Sequence, residues 1–363
     1  MDEHGSAQGV GAAVGRAGAG CGVRGARLAP AAGVLGAGHF LPARVITNQD
    51  LEKALETNDE WIRTRTGIRE RREADPEQAT SDLALPAARE ALERAGLGPQ
   101  DLDLIVVATV TPDHAFPSTA CILQSRLGAI NAAAMDLSAA CTGFLYALGT
   151  VEAMVRAGSV RHGLIVGAEV LSKILNHRDR STAILLGDGA GAVVLGPVPE
   201  GFGVLSSYLH ADGQGGPLVI QPAGGSRLPT TPETLAEGLN TFHQNGREVY
   251  RFATKIMGDA AEEAMRRAGV QPRDIALLVP HQANLRIIQA AAARFDFPME
   301  RVWVNVDRYG NTSSASIPIG LSEAQAAGRL HLGDLVLAVS FGGGLTWGAS
   351  VLRWWEPGRE SGS

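Results

Sequence analysis

The sequence predicts an α/β protein made of two related halves, with sheets covered by helices on both faces. Three observations carry this. Short runs rich in Val, Ile and Leu alternate with segments of helical period, the pattern of strands buried on both sides. ALERAGLGPQDLDLIVV (91–107) lines up without gaps on AMRRAGVQPRDIALLVP (264–280), an offset of 173, so that Ala95-Gly96, Pro99 and Asp101 meet Ala268-Gly269, Pro272 and Asp274. Further on, LIVGAE (164–169) answers LVLAVS (335–340) at an offset of 171. A near-constant spacing over two separated matches reads as duplication.

Taken in order, residues 1–33 come first, and 18 of them are Gly or Ala. With Asp2 and Glu3 where a signal peptide is basic, and no sustained apolar stretch, this segment reads as a disordered extension. An N-terminal half is expected over 34–206 and a C-terminal half over 207–357. Buried strands are read at 102–110, 132–137, 162–170, 182–196, 275–280, 302–306 and 334–342. Helices are read at 81–95, 118–127, 143–157, 247–268, 283–294 and 315–327.

The 363 residues are 45% hydrophobic and 19% charged, ordinary for a globular enzyme. A net charge of −6 with no basic block argues against a nucleic-acid partner. No run of about 18 apolar residues suggests a membrane helix. The three cysteines, Cys21, Cys121 and Cys141, are far apart and lack metal-ligand spacing. They give neither a disulfide framework nor a metal site, and fit a reducing cytoplasm.

Chemistry concentrates at strand ends. In MDLSAACTGFLYALG (135–149), Cys141 follows an apolar run and small residues, just before a helix. A helix start favours negative charge and can lower a thiol pKa to roughly 3.5–7.5. Free cysteine is equally a common core residue, and the stretch alone leaves both readings open. VPHQANLRII (279–288) sets His281 between a strand and a helix, and RYGNTSSAS (308–316) sets Asn311 before another. SFGGGLTWG (340–348) offers glycine backbone to a close ligand. Cys, His, Asn and an N–H donor loop together suggest acyl transfer.

On these motifs, with DEWIRTRTGIRER (59–71), HAFPS (114–118), LLGDGAGAVVL (185–195) and PAGGSR (222–227), the chain resembles the β-ketoacyl-acyl-carrier-protein synthase III family over about residues 34–355. The resemblance implies a thiolase-like fold, two duplicated halves in a five-layer α-β-α-β-α sandwich. It implies a reaction in which an acyl-CoA acylates Cys141. Malonyl-acyl-carrier protein then loses CO2, and its carbanion attacks the acyl-cysteine. His281 Nε2–H and Asn311 would hold the enolate, and backbone N–H groups of Cys141 and Gly343 the oxyanion. Elongating relatives carry a second His where Asn311 stands. An acyltransferase passing the acyl group to an alcohol or amine is the alternative.

The same resemblance implies further roles. Trp61, Arg65 and Arg180 match CoA contacts, although TNDEW also reads as a capping box of Thr57 and Glu60. Arg251, Lys255 and Arg286 match a carrier-protein surface, with a solvated helix face as the plainer reading of Lys255. Phe116, Thr142, Leu171 and Leu186 match the acyl pocket, Phe116 being inserted by the partner of a homodimer. Leu186 and Thr142 depart from the family's usual Phe and Ala or Ser, which leaves the primer open. No cofactor, no metal, no membrane and a cytoplasmic location complete the expectation.

Overall fold

The computed structural model describes residues 31–356. The expected extension therefore lies outside the described residues except for 31–33, which belong to β1 (Ala31–Phe40), where Ala31 pairs with Val198. After β1 a hairpin of β2 (Arg44–Thr47) and β3 (Glu70–Glu73) encloses α1 (Asn48–Glu52) and α2 (Asp59–Thr66). The first half continues with α3 (Thr80–Ala95), β4 (Leu104–Ala108), α4 (Thr119–Leu127) and β5 (Ala133–Leu137). It closes with α5 (Gly143–Arg156), β6 (Gly163–Glu169), α6 (Arg180–Ala183) and β7 (Gly189–Val198). The second half opens with β8 (Gly203–Ala211), β9 (Val219–Ile220), α7 (Pro232–Ala236), β10 (His243–Gln244) and α8 (Gly246–Ala268). It ends with β11 (Ile275–Pro280), α9 (Leu285–Ala293), α10 (Val306–Tyr309), α11 (Ser316–Ala326), β12 (Leu335–Gly342) and β13 (Thr346–Arg353).

One sheet runs β1-β7-β6-β4-β5 and the other β8-β13-β12-β11. Corresponding neighbours pair alike: β1/β7 and β8/β13 antiparallel, β6/β7 and β12/β13 antiparallel, β4/β6 and β11/β12 parallel. The helix ends repeat too, since Gly96 and Gly269 both close their helices in the left-handed region, at φ 66° and 69°, where glycine is unstrained. α3 and α4 cover the outer face of the first sheet, α8 and α9 that of the second. α5 and α11 lie between the sheets and touch both. Phe144, Leu148, Ile317 and Leu321 join Ile165 and Val279 of the two sheets in one core. At about 1.5–3 kcal/mol per buried large side chain, that shared layer holds the halves as one body. The architecture is the five-layer sandwich.

Four sequence expectations need correction. Ile105 faces Leu164 as Leu278 faces Leu337, so these two strand pairs keep the 173 offset. The 171 match is two residues out, a slip that leaves every side chain on its own face and so is invisible to alternation. The halves divide before β8, which a cut at 206/207 would split. The strand read at 182–196 is interrupted, because Leu185–Gly187 instead bond the backbone of Asn311. The strand expected at 302–306 does not form. Val302 makes one isolated bridge to Leu278, and the N–H groups of Asn305 and Val306 go to the Gln282 side chain.

Candidate active site

The nucleophile turn follows β5. Ala140 sits at φ 46°, and Ser313, 173 residues on, at φ 50°, so the duplicated halves repeat the same strained turn one residue before Cys141 and Ser314. A non-glycine residue there costs about 1–3 kcal/mol. Bonds from the second sheet hold it: Ser340 Oγ donates to Cys141 O at 2.8 Å and Thr346 Oγ1 to Ala139 O at 3.0 Å. The glycine loop packs so closely that a Cβ on Gly342 would lie 2.7 Å from Cys141 N. Only glycine fits there.

Cys141, His281, Asn311 and Gly343 line one cavity together with Leu171 and Leu186. It encloses about 870 Å³ including its mouth, within the range of small-molecule sites. Val219, Phe242, Val249, Tyr250 and Leu345 also line it, none of them singled out by the sequence. Thr142 is not on this wall. Its side chain is fully buried and its hydroxyl donates to Thr346 O at 3.3 Å, so it braces the turn rather than shaping an acyl pocket. Phe116 is also absent from the wall of the single chain and is 86% exposed.

His281 leaves β11 with its N–H on Val339 O at 2.8 Å, and its ring is buried. Nδ1 lies 2.8 Å from Ser316 Oγ, which donates its proton to Ser313 O at 2.9 Å. Nε2 is buried without a partner, an orphan that a ligand would satisfy. The Ser316 hydroxyl can serve either tautomer. Accepting from Nδ1–H leaves Nε2 ready to take a thiol proton, whereas turning its own proton to Nδ1 leaves Nε2–H as a donor. Asn311 is oriented by Ser313 N, which donates to Oδ1 at 2.8 Å. Its Nδ2 is thereby left for the cavity. Ser316 was not distinguished in the sequence, since nothing local links it to a histidine 35 residues earlier.

Trp61, Arg65 and Arg180 come together, with the guanidinium of Arg180 4.9 Å and that of Arg65 6.0 Å from the indole centroid. None lines the cavity, but Asn284, which does, donates to Arg65 O at 3.0 Å. The cap of α2 is Asn58, whose Oδ1 accepts from Trp61 N, and not Thr57. At the rim, Arg286 lies 5.6 Å from the ring of Tyr250. Arg251 and Lys255 are exposed, but each is paired on its own helix, with Glu248 at 3.1 Å and Asp259 at 2.6 Å. Arg247, exposed between cavity residues Gly246 and Val249, is a cation the sequence reading passed over.

Residues 135–213 match the family model of 3-oxoacyl-[acyl-carrier-protein (ACP)] synthase III, and 265–354 match the model of its C-terminal part. A β-ketoacyl-[acyl-carrier-protein] synthase III from Caldanaerobacter subterraneus subsp. tengcongensis is 55% identical over 324 residues, 89% of this chain and 98% of that protein. The chain belongs to the β-ketoacyl-[acyl-carrier-protein] synthase III family. It is accordingly an acyltransferase of the ketosynthase type, serving the initiating condensation. The crystal structure of a synthase III from Thermus thermophilus is 50% identical, with a TM-score of 0.83 over 89% of this chain and 99% of that one. The priming β-ketosynthase of the R1128 polyketide pathway is 34% identical, with a TM-score of 0.83 over 92% and 99%. The thiolase-like fold is shared by all of these synthases.

The electrostatics of this synthase III site differ from the helix-start expectation. Burial pushes the Cys141 thiol up to about 11; a hydrogen bond from Ser313 opposes this and the carboxyl of Glu169 adds to it. Burial lowers His281 to about 3, so the imidazole is neutral. Loss of water around sulfur outweighs the attraction of the turn, and thiol and imidazole rest as an uncharged pair. Glu169, missed in the sequence, is itself buried, accepts from Thr111 Oγ1 at 2.7 Å and Val110 N at 3.1 Å, and lies 3.0 Å from Ser314 Oγ. Below a pKa near 11 the thiolate fraction grows about tenfold per pH unit. Iodoacetamide alkylation of Cys141 in the free enzyme is therefore expected to climb steadily from pH 7 to 10. A rate already level above pH 7 would contradict this.

Proposed function

We propose that the chain moves the acyl group of an acyl-CoA onto Cys141 and condenses it with malonyl-acyl-carrier protein. The products are a 3-oxoacyl-carrier protein, CoA and CO2. The observation that carries this is a thiol, an unpartnered imidazole nitrogen and an oriented amide donor on one cavity wall. In the first step Cys141 Sγ attacks the thioester carbon while Nε2 of His281 takes the thiol proton, which then leaves with CoA sulfur. In the second, the malonyl C–C bond breaks, CO2 departs, and the electron pair spreads onto the thioester oxygen. His281 Nε2–H and Asn311 Nδ2–H both donate to that oxygen. An imidazole held neutral by burial does so without becoming a charged acid. The α-carbon then attacks the acyl-cysteine, its oxyanion resting on the N–H groups of Cys141 and Gly343. Collapse expels the Cys141 thiolate, which takes up a proton from solvent to restore the thiol.

The Trp61–Arg180 pair supports adenine stacking, a planar cation and an indole on either face of a purine. Arg286 and Arg247, with Arg251 and Lys255 behind them, support docking of an acidic carrier protein. A homodimer is supported by β5, an edge strand with Ala133 and Met135 exposed, beside Phe116 and Ile130, exposed to 86% and 78%. Edges of this kind invite pairing, and Phe116 would then reach a partner's acyl pocket beside Leu171 and Leu186. A single-chain mass by sedimentation at micromolar concentration would count against it. No helix among the described residues is long and apolar enough to cross a membrane. A cytoplasmic site of action and a reaction without metal or organic cofactor belong to the same proposal.

The test is product stoichiometry. With acyl-CoA and malonyl-carrier protein, CoA, CO2 and 3-oxoacyl-carrier protein are expected in equal amounts, and Trp61→Ala is expected to raise the KM for acyl-CoA about tenfold. CoA release that depends on an added alcohol or amine, with no CO2, would replace this reading by the acyltransferase one.

A further inference from the structure

The loop from Val302 to Gly310 delivers Asn311 to the cavity, yet it lacks the strand that delivers Cys141 in the first half. There, β5 pairs with β4 over five residues, from Ala133 to Leu137. In the second half the corresponding chain keeps one bridge, Val302 to Leu278, and the bond from Trp303 N to Leu278 O at 2.8 Å. Beyond that point a single side chain takes over. Gln282, next to His281 and buried, accepts from Asn305 N at 3.0 Å and Val306 N at 3.1 Å through Oε1. Its Nε2 donates to Pro280 O at 2.9 Å and Trp303 O at 3.0 Å. Two donors and two acceptors use the full capacity of the amide. On its far side the loop is held by Glu323 of α11, which accepts from Asn305 Nδ2 at 2.8 Å and Tyr309 Oη at 2.7 Å.

We infer that Gln282 is a positioning residue that sets the separation of His281 and Asn311, its side-chain amide standing in for the ladder that the second half lacks. One arm ties Pro280, at the end of His281's strand, to Trp303 of the loop, and the other holds the start of the helix five residues before Asn311. The inference rests on the reading that those two side chains jointly hold the enolate. Decarboxylation needs both of them at fixed spacing, whereas acylation of Cys141 needs His281 without Asn311. A displacement of about 1 Å at such a site can cost roughly 100-fold.

Gln282→Met has nearly the same shape and none of the four bonds. It is expected to lower decarboxylation of malonyl-carrier protein by about 30- to 100-fold while acylation of Cys141, read by intact mass, stays within about threefold of wild type. Gln282→Glu keeps both acceptor bonds and is expected to recover part of the loss, and it carries the comparison if the Met variant does not fold. Equal decreases in both half-reactions, or no decrease in either, would overturn the inference. A wild-type enzyme that acylates but never releases CO2 would instead overturn the proposed function, so the two failures are distinguishable.

Discussion

Cys141→Ala is expected to abolish condensation, lowering turnover by about 10⁴–10⁶-fold, with no acyl adduct detectable on the protein. The reason is geometric. Cys141 is the cavity-lining sulfur, set on a turn that Ser340 and Thr346 hold from the second sheet. The counterpart in the duplicated turn, Ser314, does not take its place, since it is buried and its hydroxyl proton is engaged by Ala108 O at 2.7 Å. Removing one sulfur atom leaves those anchoring bonds intact, because they run to the backbone carbonyls of 139 and 141. Thermal stability close to wild type, with CoA release at the background rate, is the measurement. Residual turnover within 100-fold of wild type would place the nucleophile elsewhere.

His281→Ala and Asn311→Ala are each expected to lower release of CO2 from malonyl-carrier protein by about 10²–10³-fold, the usual effect of removing one donor to a developing oxyanion. They should differ in the other half-reaction. Asn311 has no part in moving the thiol proton, so its variant is expected to acylate at close to the wild-type rate. His281 supplies the acceptor, so its variant is expected to be slow in both. Burst acylation measured beside CO2 release separates the two roles. Equal acylation rates in the two variants would remove the proton-acceptor role from His281.

The duplication was legible because its marks are local. Gly at a helix end, Pro opening a 3-10 turn three residues later and Asp two residues after that Pro leave the same signature in both halves, as at 96–101 and 269–274. Three long strands were not assigned. In β1 a Cβ on Gly36 or Gly38 would lie 2.3–2.4 Å from carbonyls of α3, so close helix packing replaced the apolar alternation a strand is read from. β8 and β13 carry Ser206, Ser207, Gly348 and Ser350, with Ser207 and Ser350 bonded to each other at 3.0 Å. At 302–306 the apolar residues suggest a strand, whereas the N–H groups of Asn305 and Val306 go to the side chain of Gln282 and Glu323 holds the far side.

The site shows the same division. Cys141, His281 and Asn311 stand out as chemistry-bearing residues just before helices and Gly343 in a glycine-rich turn, and the family resemblance joins them into one site. Thr142 was misread because its partner, Thr346, lies 204 residues further on. The state of the thiol is not legible locally, because the cost of desolvation depends on what packs against Cys141 from far along the chain, here the glycine loop at Gly342. A sequence gives the helix start; it does not give the water that is lost.

Intact-protein mass spectrometry tests the central claim most directly. Wild type and Cys141→Ala would be incubated with acyl-CoAs from acetyl to branched medium chains, then given malonyl-carrier protein. The account predicts a mass gain of one acyl group on wild type alone, discharged on addition of malonyl-carrier protein with a 3-oxoacyl-carrier protein appearing. Acylation of the alanine variant, or an acyl-cysteine that malonyl-carrier protein never discharges, would contradict it.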